Sequence, residues 1–387
     1  MPRVLYTAFD IVPSPKGAST HILHNIRGLV NSHFNVHLFT PSDGILPLED
    51  EIEGSRVTRL PQDLAQNFLA RAEHFGRGVL AHLTLHPDYD VVQFRNIWDG
   101  LSIAQNKQRL GYKTLFEVNG LPSIELKYHY PGIDPGLLAK IREQEIATLH
   151  LSDAVICPSN VTRDYIISLG LSRKRVTVIP NGVSPSDFQP SPLPAREGRI
   201  PILLYIGTLA DWQGLDVLVR ALPKILERQA VRLHIVGRGR SRQRKLLSKQ
   251  IRKLGLEEHV VVFPAIPHHE IPALISEADI CLAPLGLNDR NVTQGACPIK
   301  VLEYMASSRP LVASNMPIVR ELVREDVDGL LFSPNDPDDL ARQVLRLLED
   351  VELSSRLSES ASERALGKFT WHEAQKKLVK VYNSLLA

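Results

Sequence analysis

The sequence predicts an α/β protein of two doubly wound, Rossmann-like domains facing each other across a cleft. Three observations predict it. Short apolar runs alternate with amphipathic stretches at helical spacing along the chain, the pattern of parallel sheets covered by helices. The length of 387 residues suits two domains. Between residues 184 and 199 the alternation stops: Pro185, Pro190, Pro192 and Pro194 stand among serines in a stretch with no apolar period. Such a stretch reads as a semi-rigid linker. The expected boundaries are 1–188 for the first domain, 199–369 for the second, and 370–387 for a final helix.

Composition narrows the classes. With 43% hydrophobic and 23% charged residues the chain is that of a soluble globular protein. A formal net charge of +2 gives no global field that selects nucleic acid. Cys157, Cys281 and Cys297 lie far apart. That spacing suits neither a metal site nor a disulfide framework, and it favours a reducing, cytoplasmic compartment. Met1 to Asp10 lacks the apolar core of a signal peptide. No apolar run approaches the roughly 20 residues that span a bilayer, so any membrane association is expected to be peripheral.

In the first half, Arg3–Phe9 reads as a strand. It is followed by a loop carrying Gly17, a helix over Thr20–Val30 and a strand over Val36–Phe39. Strand, glycine-containing loop, helix, strand is the repeating unit of a doubly wound sheet, and the loop after the first strand lies on its ligand-binding edge. Gly17 can let a backbone approach a ligand closely, or can be an ordinary turn residue. Val57–Leu60 is a short strand and Leu64–Leu83 a helix. Asp90–Phe94 is a strand that runs into Arg95, Asn96, Trp98, Asp99 and Gly100, a polar cluster at its carboxyl end. Lys113–Val118 is the next strand and ends at Asn119 and Gly120. Helices over Glu125–Tyr130 and Leu137–Leu151, a strand over Ala154–Cys157, a helix over Val161–Leu169 and a strand over Val176–Ile179 complete this half.

The second half repeats the alternation. Strands are expected at Ile202–Ile206, Arg232–Val236, Val260–Phe263, Ile280–Leu282, Leu311–Ala313 and Gly329–Phe332. Helices are expected at Leu215–Arg228, Arg242–Leu254, Glu270–Ala278, Pro337–Leu348, Val351–Ala365 and Thr370–Leu386. Its centre is the stretch from Cys297 to Val319, read as loop, short helix, turn, buried strand and loop. Pro298 fits the first helical turn, where its missing N–H costs nothing. A helix opening this way aims free N–H groups and a positive dipole end at whatever precedes it, near Ala296, Cys297 and Ile299, which suits a phosphate. Lys300 can face that phosphate, and Glu303, one turn on, can accept hydrogen bonds from paired sugar hydroxyls. On these residues alone a plain amphipathic helix with solvated Lys300 and Glu303 is an equal reading.

Several segments now resemble one family in the same order. They are Tyr205-Ile206-Gly207-Thr208-Leu209, Trp212-Gln213-Gly214-Leu215-Asp216, Ile235-Val236-Gly237-Arg238-Gly239, Glu277-Ala278-Asp279-Ile280 and Leu302-Glu303-Tyr304-Met305-Ala306. Val178-Ile179-Pro180-Asn181-Gly182-Val183 and Lys16-Gly17-Ala18-Ser19-Thr20-His21 add to them. The chain resembles the retaining glycosyltransferases of family 4, which have the GT-B fold. The resemblance implies transfer of a sugar from a nucleotide diphosphate sugar to an acceptor hydroxyl, in glycan, polysaccharide or glycolipid synthesis. No further cofactor and no metal is implied. It places the donor mostly on the second domain, at Gly207, Thr208, Gln213, Gly237, Ala296, Cys297, Ile299, Lys300 and Glu303, with Gly17 of the first domain's glycine loop added. It places a glycan or lipid-linked acceptor on the first, near Arg95, Asn96 and Asn119. It also implies that the final helix returns to the first domain.

The sequence departs from the family pattern at informative places. The first acid of the usual Glu-x7-Glu pair falls on Gly295, and the two cations that usually hold the diphosphate fall on Thr208 and Gln213. The histidine usual after the Asp-Val-Val strand is replaced in Gln93-Phe94-Arg95. A subgroup with Pro-x-Lys-x-x-Glu-Tyr-Met is closer, matching Pro298, Lys300, Glu303, Tyr304 and Met305. Lys300, Arg238 and Glu303 are therefore the expected catalytic set, with Lys300 and Arg238 supplying the missing charge. From Arg228 to Lys253 the chain is basic with no acid between. That run reads as a solvated face, or as a peripheral contact with anionic lipid at the inner membrane face. The alternatives to an active transferase are a degenerate GT-B binding or scaffold protein, and a GT-B sugar-nucleotide epimerase.

Overall fold

The computed structural model describes residues 1–14, 16–195 and 197–387. The chain forms two compact units, Met1–Pro180 together with His372–Ala387, and Asn181–Trp371.

The first unit begins with β1 (Arg3–Thr7), α1 (Gly17–Asn31), β2 (Asn35–Pro41), β3 (Glu49–Ile52), β4 (Ser55–Leu60) and α2 (Phe68–Leu85). It continues with β5 (Val91–Phe94), α3 (Ile97–Leu110), β6 (Lys113–Glu117), α4 (Pro122–His129), α5 (Pro135–Leu151), β7 (Ala154–Cys157), α6 (Asn160–Ser168) and β8 (Val176–Val178). The described residues make a sheet of order β3-β4-β2-β1-β5-β6-β7-β8. Every pairing is parallel except β3 with β4. β1 lies between β2 and β5, the point where strand order reverses and where such sheets open for ligands.

Three elements of this unit, β3, α3 and the start of α1, differ from the sequence reading. β3 is Glu49-Asp50-Glu51-Ile52, a half-exposed edge strand. Its acids keep it from reading as a strand and also blunt the sheet edge. Glu53 and Gly54, at φ 54° and 71°, turn it back onto β4. The polar cluster after β5 is the first turn of α3, where Asn96 Oδ1 accepts from the Trp98 amide at 3.1 Å. Gly17 is the first residue of α1 rather than a loop residue.

The second unit carries β9 (Ile202–Ile206), α7 (Leu215–Leu226), β10 (Arg232–Val236), α8 (Ser241–Lys253), β11 (Val260–Phe263), α9 (Ile271–Glu277) and β12 (Ile280–Ala283). Then come α10 (Ile299–Ala306), β13 (Leu311–Ser314), α11 (Pro317–Arg320), β14 (Leu330–Phe332), α12 (Pro337–Glu349) and α13 (Val351–Lys368). The described strands pair in parallel in the order β11-β10-β9-β12-β13-β14. Leu203, Tyr205, Leu218, Leu222, Ile235 and Leu347 pack in its core. β9 and β12, at the centre of the sheet, read as unbroken apolar runs because they are buried on both faces.

The last helix, α14 (Trp371–Leu386), crosses from the second unit into the first. Gln375 Nε2 donates to the His24 carbonyl at 2.7 Å, and Tyr382 Oη donates to Gln93 Oε1 at 2.5 Å. Gly28 is needed where α14 passes, since a Cβ there would lie 2.4 Å from Gln375 Cγ.

The proline-rich segment read as a linker is largely exposed but anchored to the second unit at Phe188, Ser191 and Pro192. Phe188 is 1% exposed. Arg309, fully buried, donates from Nη1 to the Ser191 carbonyl at 2.9 Å and from Nη2 to the Pro192 carbonyl at 3.1 Å. The same guanidinium reaches the carbonyls of Ile275 at 3.1 Å and Ser276 at 2.9 Å. One cation thus satisfies backbone acceptors that a proline-rich segment cannot pair with itself. Replacing Arg309 with Leu orphans these acceptors, each worth about 1–3 kcal/mol when buried. Urea denaturation of R309L should show a loss of at least about 3 kcal/mol, and limited proteolysis should cut the 184–199 segment faster than in the wild type.

Candidate active site

The carboxyl ends of β9 and β10 stop on Gly207 and Gly237, at φ 150° and 156°, backbone conformations open to glycine alone. A Cβ at Gly237 would lie 1.7 Å from the Gly207 carbonyl oxygen, and a Cβ at Gly207 would lie 2.5 Å from Lys300 Nζ. The two strand ends therefore pack backbone on backbone, and the space left is filled by a lysine from α10.

Lys300 is held on each side. Its Nζ donates to Gln213 Oε1 at 2.7 Å and sits 4.0 Å from the centroid of the Tyr205 ring, a cation–π placement. Tyr205 is fixed in turn, its Oη donating to the Thr208 carbonyl at 2.7 Å. Gln213 ends the short turn Asp211–Gln213, locked by Gly214 at φ 69°, where a Cβ would meet the Pro284 carbonyl at 1.8 Å. Burial pulls the Lys300 ammonium down to about 7 from its usual 10.5; Glu303 opposes the shift, and Arg290 adds to it. Gln213 is a neutral partner, so the charge of Lys300 meets no carboxylate in direct contact among the described residues.

α10 is tied to the sheet by Tyr304, whose Oη accepts from the Ile206 amide at 2.7 Å. Pro298 is the N-cap, extended at ψ 105°, not a residue of the first turn, and its carbonyl accepts from the Val301 amide at 3.0 Å. The preceding Cys297 carbonyl takes Asn181 Nδ2 at 2.7 Å. The Cys297 thiol is buried and pushed up to about 12 by that burial, so its site contribution is backbone. Glu303 is 5% exposed and its Oε1 accepts from His268 Nε2 at 2.8 Å.

The structure thus brings together Gly207, Gly237, Gln213 and Lys300, with Thr208 at the turn between them and Glu303 one turn further along α10. Arg238 is exposed, and its recorded contact is by its backbone, accepting from the Leu209 amide at 2.9 Å. Arg244, assigned by sequence to the solvated basic run, instead turns back on this loop. Its Nε donates to the Gly239 carbonyl at 3.3 Å and its Nη2 to the Gly237 carbonyl at 3.5 Å. His268 and Tyr205 are also missed by sequence reasoning. His268 follows β11 at the carboxyl edge, where a ligand-facing loop is expected, and that position is its only signal.

In the first unit, Arg95 and Asn119 surround a carboxylate that sequence reading passed over, Glu117 at the end of β6. Arg95 Nε donates to Glu117 Oε1 at 2.9 Å and Nη1 to Asp10 Oδ2 at 3.2 Å; Asn119 Nδ2 also donates to Glu117. Gln93 Nε2 and Tyr6 Oη each reach Glu117 Oε2 at 2.5 Å, and His21 Nε2 lies 2.8 Å from Oε1. Burial alone would raise the Glu117 carboxyl, but Arg95 and His21 hold it well below the usual range. Asn96 caps α3. A small cavity beside this network is lined by His21, Asn25, Glu117, Asn119 and Cys157.

Two family models match the chain. One described as "Glycosyl transferases group 1" takes residues 189–364, and one described as "Glycosyltransferase Family 4" takes residues 15–187. An uncharacterized glycosyltransferase of Methanocaldococcus jannaschii, MJ1607, is 27% identical over 255 residues, 62% of this chain and 63% of that protein, a little under two thirds of its length. D-inositol 3-phosphate glycosyltransferase 1 of Catenulispora acidiphila is 24% identical over 392 residues, 96% of this chain and 91% of that protein. Among solved structures, sucrose-phosphate synthase from Thermosynechococcus elongatus superposes with a TM-score of 0.83 at 20% identity, covering 100% of this chain and 99% of that one. HepE of Anabaena, in complex with UDP and glucose, gives 0.77 at 18% identity, covering 99% and 100%. With the two family models adjoining across nearly the whole chain and the sheet orders described above, the protein belongs to the family 4 glycosyltransferases of GT-B fold.

Proposed function

We propose that the protein transfers a sugar from a nucleotide diphosphate sugar to an acceptor hydroxyl, with retention at the anomeric carbon. The observation that carries this reading is Lys300, a half-buried lysine with a neutral partner at the carboxyl edge of a parallel sheet, seated against two strand ends that only glycine can form. The relatives support the donor class: HepE is described in complexes with UDP and with UDP-glucose. In this reading the ammonium of Lys300 and the free amides that open α10 meet the charge growing on the departing diphosphate. Arg244 and Arg238 at the Gly237 turn add to that field. Glu303 accepts from the ribose hydroxyls. Gly207, Thr208, Gln213, Ala296, Cys297 and Ile299 shape the diphosphate pocket. No metal or other cofactor is assigned, so turnover should survive EDTA. The first unit is the proposed acceptor side, through the loops that follow β5 and β6. Gly17, at the start of α1, keeps its proposed donor role.

No helix among the described residues is long and apolar enough to cross a membrane. α8 exposes Arg242, Lys245, Lys249, Arg252 and Lys253 beside Leu246, which is 52% exposed. That face suits anionic lipid, and a lipid-linked acceptor is the reading that would use it.

The direct test is release of nucleoside diphosphate from a panel of UDP-, GDP- and ADP-sugars without acceptor; a slow, saturable release supports the transferase, and none with any donor counts against it. Lys300→Ala should lower kcat by about 10²- to 10³-fold with a smaller change in donor KM, because leaving-group charge is greatest in the transition state. Glu303→Gln should weaken donor binding by about 1–3 kcal/mol and leave the unfolding temperature nearly unchanged.

The ionisation of Lys300 gives a separate signature. Its depressed value means that above pH 7 the free protein holds mostly neutral lysine, while a bound diphosphate favours the ammonium. Affinity should therefore be full below about pH 7 and fall as pH rises through it. At pH 8 a nucleotide's own phosphates are already ionised. Calorimetry in two buffers of different ionisation enthalpy should then show uptake approaching one proton per nucleoside diphosphate, absent in Lys300→Met. Equal uptake in both proteins would remove Lys300 from the diphosphate site.

A further inference from the structure

Glu303 holds only half of its carboxylate in reserve. Oε1 is occupied by His268 Nε2 at 2.8 Å, while Oε2 makes no hydrogen bond among the described residues and is not sealed from solvent. The Glu303 side chain is 7% exposed against 37% for that of His268. A glutamate otherwise has three side-chain torsions to fix, and a single anchored oxygen fixes the plane in which the other is offered.

His268 is itself held. It opens the short turn His268–Glu270 after β11, and its ring meets the edge of Phe188 with centroids 5.6 Å apart and planes at 60°. Phe188 is buried in the segment that Arg309 ties down. The charged groups that face the imidazole are Glu303 from α10 and Asp187 beside Phe188. The hydrogen bond to Glu303 raises its pKa, burial works against that, and the charges of Glu303 and Asp187 add to it. An Nε2–H donor is thus kept on the Glu303 side.

We propose that His268 is a positioning residue: by binding Oε1 it presents Oε2, and the remaining lone pair of Oε1, to the paired hydroxyls of the donor ribose. The proposal rests on the assignment of Glu303 to that ribose. It assigns His268 to selection of ribonucleotide over 2′-deoxyribonucleotide donors, since a carboxylate fixed in one plane loses most when one hydroxyl of the pair is missing.

The test compares dissociation constants of UDP, GDP and ADP, and of their 2′-deoxy forms, for the wild type, Glu303→Gln, His268→Ala, His268→Gln and His268→Phe. For the nucleotide that binds, the wild type should prefer ribose about tenfold or more. Glu303→Gln and His268→Ala should both bring the ratio to within about twofold, and His268→Ala should raise donor KM with little change in kcat. His268→Gln places an amide N–H near the Nε2 position and should restore most of the ratio. His268→Phe fills the space beside Phe188 without a donor; it should lose the ratio while keeping the wild-type unfolding temperature, and it serves if the alanine variant folds poorly. A wild-type ratio in His268→Ala and His268→Phe, with the ratio lost in Glu303→Gln, would overturn the role of His268 and leave the ribose assignment standing. A wild-type ratio in Glu303→Gln would overturn the ribose assignment, and the role of His268 with it.

Discussion

The ammonium of Lys300 sits in the contact between two strand ends that only glycine can make. Gly237 packs on the Gly207 carbonyl, Gly207 leaves room for Nζ, and Tyr205 and Gln213 flank it. A side chain at Gly207 would displace the ammonium, and one at Gly237 would push the two strand ends apart. The other arrangements of the site follow from this one. Tyr304 has to hold α10 against the Ile206 amide to keep Lys300 in place. Gly214 has to turn left-handed against Pro284 to bring Gln213 underneath. Glu303 then follows on the same helix at a distance that its spacing from Lys300 dictates.

The two units bury charge by opposite means. Glu117 lies in a fully paired network with Arg95, Gln93, Tyr6 and His21. Such a network specifies a core and resists remodelling. Lys300 has its ammonium set, partly desolvated, against a neutral amide and an aromatic face, so its charge is poorly compensated and its pKa falls to about 7. A site built to receive an anion gains from that second condition, because the ligand supplies the compensation that the protein withholds.

Much of this was legible in the sequence for a physical reason. Strands of a parallel sheet covered on both faces are continuous apolar runs, so Ile202–Ile206 or Ala154–Cys157 stands out, while β3, acidic and at an edge, does not. Lys300, Glu303 and Gln213 could each be singled out by motif. That Lys300 meets Gln213 could not, because the pair is separated by 87 positions and the contact is made by packing. Glu117 was hidden because a carboxylate inside Leu-Phe-Glu-Val reads as one polar position of a strand. Its partners Arg95 and Asn119 were read instead as groups open to an acceptor. The segment 184–199 lacks periodicity, which is the mark of a linker, yet Phe188 is buried and a single buried guanidinium far along the chain pins Ser191 and Pro192.

α14 gives the chain an order of assembly. The polar centre of the first unit includes Tyr382 through its bond to Gln93, and α1 closes against Gln375. During synthesis the strands of that unit emerge first, but their core lacks α14 until residues 371–386 have been made. The second unit, contiguous from Asn181 to Trp371, has all of its parts earlier. If each unit folds once its own segments are made, the carboxyl-terminal unit can be completed before the amino-terminal one, the reverse of the usual vectorial order. The exposed seat of α14 beside Gly28 is the surface that a chaperone would have to shield in the interval.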